Sequence, residues 1–189
     1  MIIKPRHLEF FLEEHLKSLR QMIFLSGPRQ CGKTTLAKKL LGSFQSGVNY
    51  FNWDLLAHRR ILQTTIFNGK ERLDTADKKR ICFDEIHKYV RWKNVLKGLF
   101  DEYEPHFTHW IITGSARLDV YRRGQDSLIG RAFTYYLFPF TIAEFLKPLT
   151  HLKPKEGLVK IFSSIEKRAA TSEEEEIQEL LLQFSGFPE

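Results

Sequence analysis

Eight residues constrain this chain more than any others. Gly27-Pro28-Arg29-Gln30-Cys31-Gly32-Lys33-Thr34 matches the phosphate-loop pattern G-x-x-x-x-G-K-[ST] at every fixed position. The apolar run Met22–Ser26 precedes it, which reads as a buried strand, and a helical pattern from Thr34 to about Leu41 follows, with Gly42 as its stop. Strand, glycine-rich turn and helix is the order such a loop needs. Its glycines let the backbone curl until successive N–H groups converge on phosphate oxygens, aided by the helix N-terminus. Lys33 then places a positive charge on the terminal phosphates, and the Thr34 hydroxyl is the expected Mg²⁺ ligand. Gly27, Pro28, Arg29, Gln30, Cys31, Gly32, Lys33, Thr34 and Thr35 form the expected nucleotide-binding set.

A second segment supplies what the loop lacks. Ile81-Cys82-Phe83-Asp84-Glu85 is an apolar strand ending in two carboxylates, as a Walker B element does. Asp84 at the strand tip suits the metal begun by Thr34. Glu85, one residue on, suits the orientation of a water for attack on a γ-phosphate. That glutamate favours hydrolysis over phosphate transfer to a metabolite. Thr113-Gly114-Ser115 closes a further strand, where either Thr113 or Ser115 can sense the γ-phosphate. Among Arg117, Arg122, Arg123 and Arg131, the arginine after Gly130 is the first choice for reaching a transferred phosphate, in its own site or a neighbour's.

The remaining elements follow from periodicity. Pro5 to about Arg20 places Leu8, Phe11, Leu12, His15, Leu16 and Leu19 at helical spacing. Val48–Trp53, Arg80–Asp84, Thr108–Thr113 and Ala132–Phe138 read as strands, and Trp92 to about Tyr103 as a helix. Asp54 is placed to cap a helix over Leu55–Leu62, and a short helix is expected around Ile142–Leu146. Strands separated by helices argue a mostly parallel sheet with helices on both faces. Beyond Lys147 the signal weakens until Ser172, which with Glu175 resembles a capping box before an apolar face of Ile177, Leu180, Leu181 and Phe184.

Composition narrows the class. Hydrophobic residues are 42 % and charged residues 28 % of 189, which excludes disorder over most of the chain. No uncharged apolar stretch is long enough to span a bilayer, and Met1–His7 lacks the order of a secretory signal. Cys31 and Cys82 form neither a disulfide framework nor a metal-ligand pattern, so a reducing cytoplasm fits best. Cys31 within the loop reads as a small loop residue rather than a reactive one. The net charge is +6: residues 1–150 hold 24 Lys+Arg against 15 Asp+Glu, a net of +9, and the remaining 5 against 8 give −3. A basic body suits nucleotide phosphates, nucleic acid or an acidic partner.

The order of motifs resembles a family. Gly-Pro-Arg-Gln-Cys-Gly-Lys-Thr-Thr at 27–35, Phe-Asp-Glu-Ile-His-Lys at 83–88 and Thr-Gly-Ser-Ala at 113–116 are followed by Leu-Ile-Gly-Arg at 128–131, Leu-Phe-Pro-Phe-Thr-Ile-Ala-Glu-Phe at 137–145 and Gly-Phe-Pro-Glu at 186–189. Together they resemble the prokaryotic predicted ATPases of the AAA+ superfamily that carry a further domain behind the ATPase core. The resemblance implies a three-layer P-loop fold with a five-stranded parallel sheet in the order 5-1-4-3-2. It also implies ATP with Mg²⁺, the roles given above to Lys33, Thr34, Asp84 and Glu85, and a function for Arg131. Members continue past Gly-Phe-Pro-Glu, so residues 1–147 are expected to form the core, with 148–189 a linker and the start of a further region. The expected partners are nucleotide, with a homo-oligomer or C-terminal domain meeting the 172–184 helix, and nucleic acid as an open class.

Two functions suit these motifs: an ATP hydrolase coupling turnover to a conformational change, and a slow nucleotide switch signalling to protein or DNA. A small-molecule kinase fits the Asp84-Glu85 pair less well. A GTPase would need an Asn/Thr-Lys-x-Asp element, and an ABC-type ATPase a Leu-Ser-Gly-Gly-Gln-like signature before Asp84; the sequence has neither.

Overall fold

The computed structural model describes residues 5–42, 48–69, 72–73, 80–107, 109–115, 128–142, 144 and 172–183. In chain order the elements are α1 (His7–Ser18), β1 (Met22–Ser26), α2 (Lys33–Leu40), β2 (Val48–Asn52), α3 (Leu56–Ile61) with a π-helical extension (Leu62–Ile66), β3 (Arg80–Asp84), a 3₁₀ turn (Ile86–Lys88), α4 (Trp92–Tyr103), β4 (His109–Thr113), β5 (Ala132–Tyr136) and α5 (Ser172–Gln183). The five strands make one sheet in the order β2-β3-β4-β1-β5, and every pairing is parallel. Viewed from the other edge this is the expected 5-1-4-3-2.

Alternation along each strand builds the three layers, because successive side chains point to opposite faces. Met22, Phe24, Ile81, Phe83, Trp110 and Ile112 meet Leu96, Leu99 and Phe100 of α4 on one face. Ile23, Leu25, Cys82 and Ile111 meet Leu12 of α1 and Leu36, Ala37 and Leu41 at α2 on the other. Buried on both sides, β1 is apolar up to Ser26 rather than alternating, as a central parallel strand must be. Burial of this kind contributes about 1.5–3 kcal/mol per large side chain, so truncating Phe24 or Ile111 would open the middle of one layer.

Two local expectations change. Asp54 does not cap α3: the N-cap position belongs to Leu55, with no side-chain hydrogen bond. Asp54 instead takes the Lys88 ammonium, 2.6 Å away. The second change is at the far end, where Ser172 lies inside α5 rather than before it. Of the short helix expected at 142–146, residues 143, 145 and 146 lie outside the described residues, as do Arg117, Arg122 and Arg123. Leu180 of α5 is 47 % exposed. Among the described residues no helix is long and apolar enough to cross a membrane.

Candidate functional site

Parallel strands bring their C-terminal ends to one edge of the sheet, and there the loop after β1, the tip of β3 and the end of β4 meet. The Gly27–Thr34 loop leaves β1 at Gly27, whose φ of +152° and close approach to β5 leave no room for a side chain. A Cβ there would lie 2.1 Å from the Leu137 carbonyl oxygen. Gly32 caps α2 in the left-handed region at φ 90°, and no side chain caps the helix. With no acidic residue in its first turn, α2 presents an uncapped positive dipole end to the loop, a setting that favours an anion. Lys33 is buried, and its ammonium donates to the carbonyls of Gly27, at 3.1 Å, and Pro28.

Asp84, at 1 % exposure, is the hub of the site. Its carboxylate accepts from Thr34 Oγ1 at 2.9 and 3.2 Å, Tyr50 Oη at 2.6 Å, Asn52 Nδ2 at 3.3 Å and the Thr113 hydroxyl. Strand register explains the cluster. Asn52 pairs with Asp84 between β2 and β3, and Asp84 with Thr113 between β3 and β4. Tyr50 shares a face of β2 with Asn52, two residues apart. Burial and then the Asp84 carboxylate push the Tyr50 phenol far above its ordinary range, so Tyr50 stays a donor.

The donor set suits a hard cation. Thr34 and Asp84 offer one hydroxyl and one carboxylate side by side, and Mg²⁺ takes one or two protein oxygens, completing its shell with waters and phosphate. Among the described residues no group of three or more His, Cys, Asp or Glu side chains gathers, so the soft-ligand alternatives have no cluster to use.

Glu85 leaves β3 with a left-handed φ of 58°, a conformation that costs a non-glycine residue about 1–3 kcal/mol and is retained where the surroundings impose it. Its N–H is fixed by the Thr113 carbonyl at 3.1 Å. Its carboxylate lies 3.3 Å from the Lys88 ammonium and 3.9 Å from His87 Nε2, and His87 Nε2 is 3.1 Å from Ser115 Oγ. These groups line an open cleft of about 410 Å³ bounded by Arg29, Glu85, His87, Lys88, Trp92 and Ser115. Thr113 is therefore engaged with Asp84, and Ser115 with the Glu85 side of the cleft.

Arg131 is elsewhere. It precedes β5, and its carbonyl accepts from the N–H of Met22, the first residue of β1. The guanidinium pairs with Asp101 at 2.6 Å on the exposed end of α4. A parallel strand of this length separates it from its own chain's loop by roughly 15 Å. Sequence reasoning also passed over Tyr50, Asn52 and Lys88; alternation on β2 marks the first two once the strand order is known.

Comparison with solved structures returns the same fold at low identity. A DnaA replication initiator bound to AMPPCP and single-stranded DNA matches with TM-score 0.53 and 18 % identity over 98 % of this chain and 63 % of the other. AMPPCP-bound DnaA from Aquifex aeolicus matches with TM-score 0.51 and 17 % identity over 96 % and 62 %. The Aeropyrum pernix ORC1 protein in complex with DNA matches with TM-score 0.50 and 14 % identity over 76 % and 47 %. This chain thus spans less than two thirds of each of those structures. No curated protein matches it. A family model described as AAA domain matches residues 19–146, the stretch from the end of α1 through the segment after β5. With the loop, the β3 carboxylates and the sheet order in place, the chain belongs to the AAA domain family, within the AAA+ P-loop ATPases.

Proposed function

We propose that this chain binds ATP with Mg²⁺ at the Gly27–Thr34 loop and hydrolyses it, coupling turnover to a conformational change. The observation that carries the reading is the meeting of Thr34 and Asp84 at 2.9 Å across fifty residues of sequence, directly beside the uncapped start of α2. Lys33 leaves the Gly27 and Pro28 carbonyls for the phosphates, exchanging neutral acceptors for anionic ones and adding charge–charge attraction to each bond. Bound Mg²⁺ would be held by Thr34 and Asp84 and would neutralise phosphate charge. Tyr50, Asn52 and Thr113 keep the Asp84 carboxylate turned toward Thr34. Glu85 takes the proton of a water that attacks the γ-phosphorus as the bond to the β-phosphate oxygen breaks. Ser115, held by His87 at the same cleft, reports the γ-phosphate.

Malachite-green phosphate release tests this. Wild type releases phosphate from MgATP, Lys33→Ala binds and hydrolyses poorly, and Glu85→Gln retains binding while losing about 10²–10⁴-fold in rate. Equal background release by all three removes the enzyme reading.

A second reading is favoured by one observation, the Glu85–Lys88 contact at 3.3 Å, which engages the glutamate in an ion pair. In that reading the chain is a nucleotide switch, and Lys88 must release Glu85 before turnover. Its partner class is protein or DNA. DNA is supported by the +9 excess of residues 1–150 and by the DNA present in the DnaA and ORC1 structures. Tight ATP binding without turnover, with DNA affinity falling steeply with salt, would favour it.

A further inference from the structure

A buried ion pair stands beside the loop and is used by none of the roles above. Arg6 and Glu144, 138 residues apart in sequence, are only 8 % and 6 % exposed. Arg6 Nε donates to Glu144 Oε1 at 2.9 Å and Nη2 to Oε2 at 3.3 Å. Glu144 also accepts the N–H groups of His7, at 3.0 Å, and Thr141, at 3.1 Å. That leaves Nη1, which donates to the Cys31 carbonyl at 2.9 Å, while Nη2 also reaches the Phe138 carbonyl. The guanidinium lies 4.1 Å from the centroid of the Phe140 ring.

Stability alone is a poor reason for such a pair. Burying two charges costs several kcal/mol in desolvation, and well-packed apolar residues often replace a buried ion pair without loss. What an apolar pair cannot do is hold the Cys31 carbonyl. The peptide joining Cys31 to Gly32 is planar and trans, so its C=O and N–H point in opposite directions. Gly32, at φ 90°, has no side chain to prevent that peptide from rotating. Drawing the Cys31 carbonyl to Arg6 therefore turns the Gly32 N–H away from Arg6.

We propose that Arg6, itself oriented by Glu144, is a positioning residue that fixes the 31–32 peptide so that the Gly32 N–H is presented to a bound phosphate. The proposal rests on the nucleotide-binding reading for its purpose, but the loop restraint exists without nucleotide. Leu137 adds to the restraint: Cys31 Sγ lies 3.3 Å from the Leu137 carbonyl oxygen and 3.1 Å from that of Pro28, with one S–H to share between them. The loop, the start of α1 and the chain after β5 are thereby tied at one point.

The two cysteines provide the test. Cys31 belongs to the loop, and Cys82 to the middle of β3; both are free and buried. Alkylation of the nucleotide-free full chain by N-ethylmaleimide, followed at each cysteine by peptide mass mapping, is compared between wild type, Arg6→Lys and Glu144→Gln. Lysine keeps the charge but cannot fork to Glu144 and Cys31 together. The expected result is Cys31 reacting about tenfold faster in both variants with Cys82 unchanged. An unchanged Cys31, or Cys31 and Cys82 rising together as in general loosening, overturns the proposal. In parallel, affinity for a fluorescent ATP analogue is expected to fall about tenfold in both variants. Wild-type affinity in Arg6→Lys overturns the positioning role. Failure of the wild type to bind ATP at all sinks the underlying reading instead, and leaves the alkylation result to decide the restraint.

Discussion

Gly27→Ala is the sharpest perturbation of the loop. The added Cβ would lie 2.1 Å from the Leu137 oxygen and 3.1 Å from its carbonyl carbon, both backbone atoms that no rotamer change can move. Leu137 is itself pinned, because its N–H donates to Ser26 at 2.8 Å at the end of the β1–β5 ladder. Relief therefore requires breaking one or two backbone hydrogen bonds, at about 1 kcal/mol each. Alanine at φ +152° adds about 1–3 kcal/mol of strain. The sum is about 2–5 kcal/mol, a large share of the 5–15 kcal/mol typical of a domain. Urea unfolding of wild type and Gly27→Ala measures it as a shift in midpoint at constant m. A loss under about 0.5 kcal/mol, the range of an ordinary surface change, would refute the claim that the loop is wedged against β5.

Four further outcomes follow from contacts elsewhere in the chain. Tyr50→Phe removes the 2.6 Å hydrogen bond to Asp84 and is expected to cost about 1.5–3 kcal/mol in urea unfolding. The same phenol is held neutral in the folded chain by burial and Asp84, while the unfolded chain ionises it near pH 10. Stability therefore falls as pH rises above about 10, and thermal melts of Tyr50→Phe lose part of that alkaline limb. Burial raises the Glu144 carboxyl, but Arg6 and the His7 and Thr141 N–H groups outweigh it and hold it below the usual range. Its contribution is full above about pH 4.3 and is lost as pH falls through the lower folded value, so Glu144→Gln shows a shallower acid limb in melts from pH 6 to 3. Arg131→Ala, at the far end of β5, leaves ATP affinity of isolated chains at the wild-type level; a clear loss in dilute protein would place that residue at its own site after all.

The fold is legible in local sequence, and so are two segments of the candidate site. The loop, the β3 carboxylates and the apolar strands are contiguous patterns whose chemistry and periodicity are readable residue by residue. Gly130-Arg131 looks like a site motif for its own chain's phosphates or a neighbour's, and a residue that precedes a parallel strand stands at the edge opposite its own chain's loop. That inference was available from the strand alone. Tyr50 and Asn52 required the β2–β3 register, which fixes who faces Asp84. Arg6 and Glu144 carried no local signal, since an arginine before a helix and a glutamate in an apolar run each look like surface residues until the fold joins them. Asp54 shows the converse, a plausible cap that stands one residue before the N-cap position and pairs with Lys88 instead.

The central claim is that Lys33, Thr34 and Asp84 form one phosphate and metal site. A crystal structure of the full chain with a non-hydrolysable ATP analogue and Mg²⁺ tests it most directly. The expected result is Lys33 Nζ released from Gly27 and Pro28 and bonded to phosphate oxygens, with the cation held by the Thr34 hydroxyl and Asp84 and the Cys31 carbonyl still on Arg6. Nucleotide bound elsewhere, or Lys33 still on the loop carbonyls with the analogue present, would contradict it.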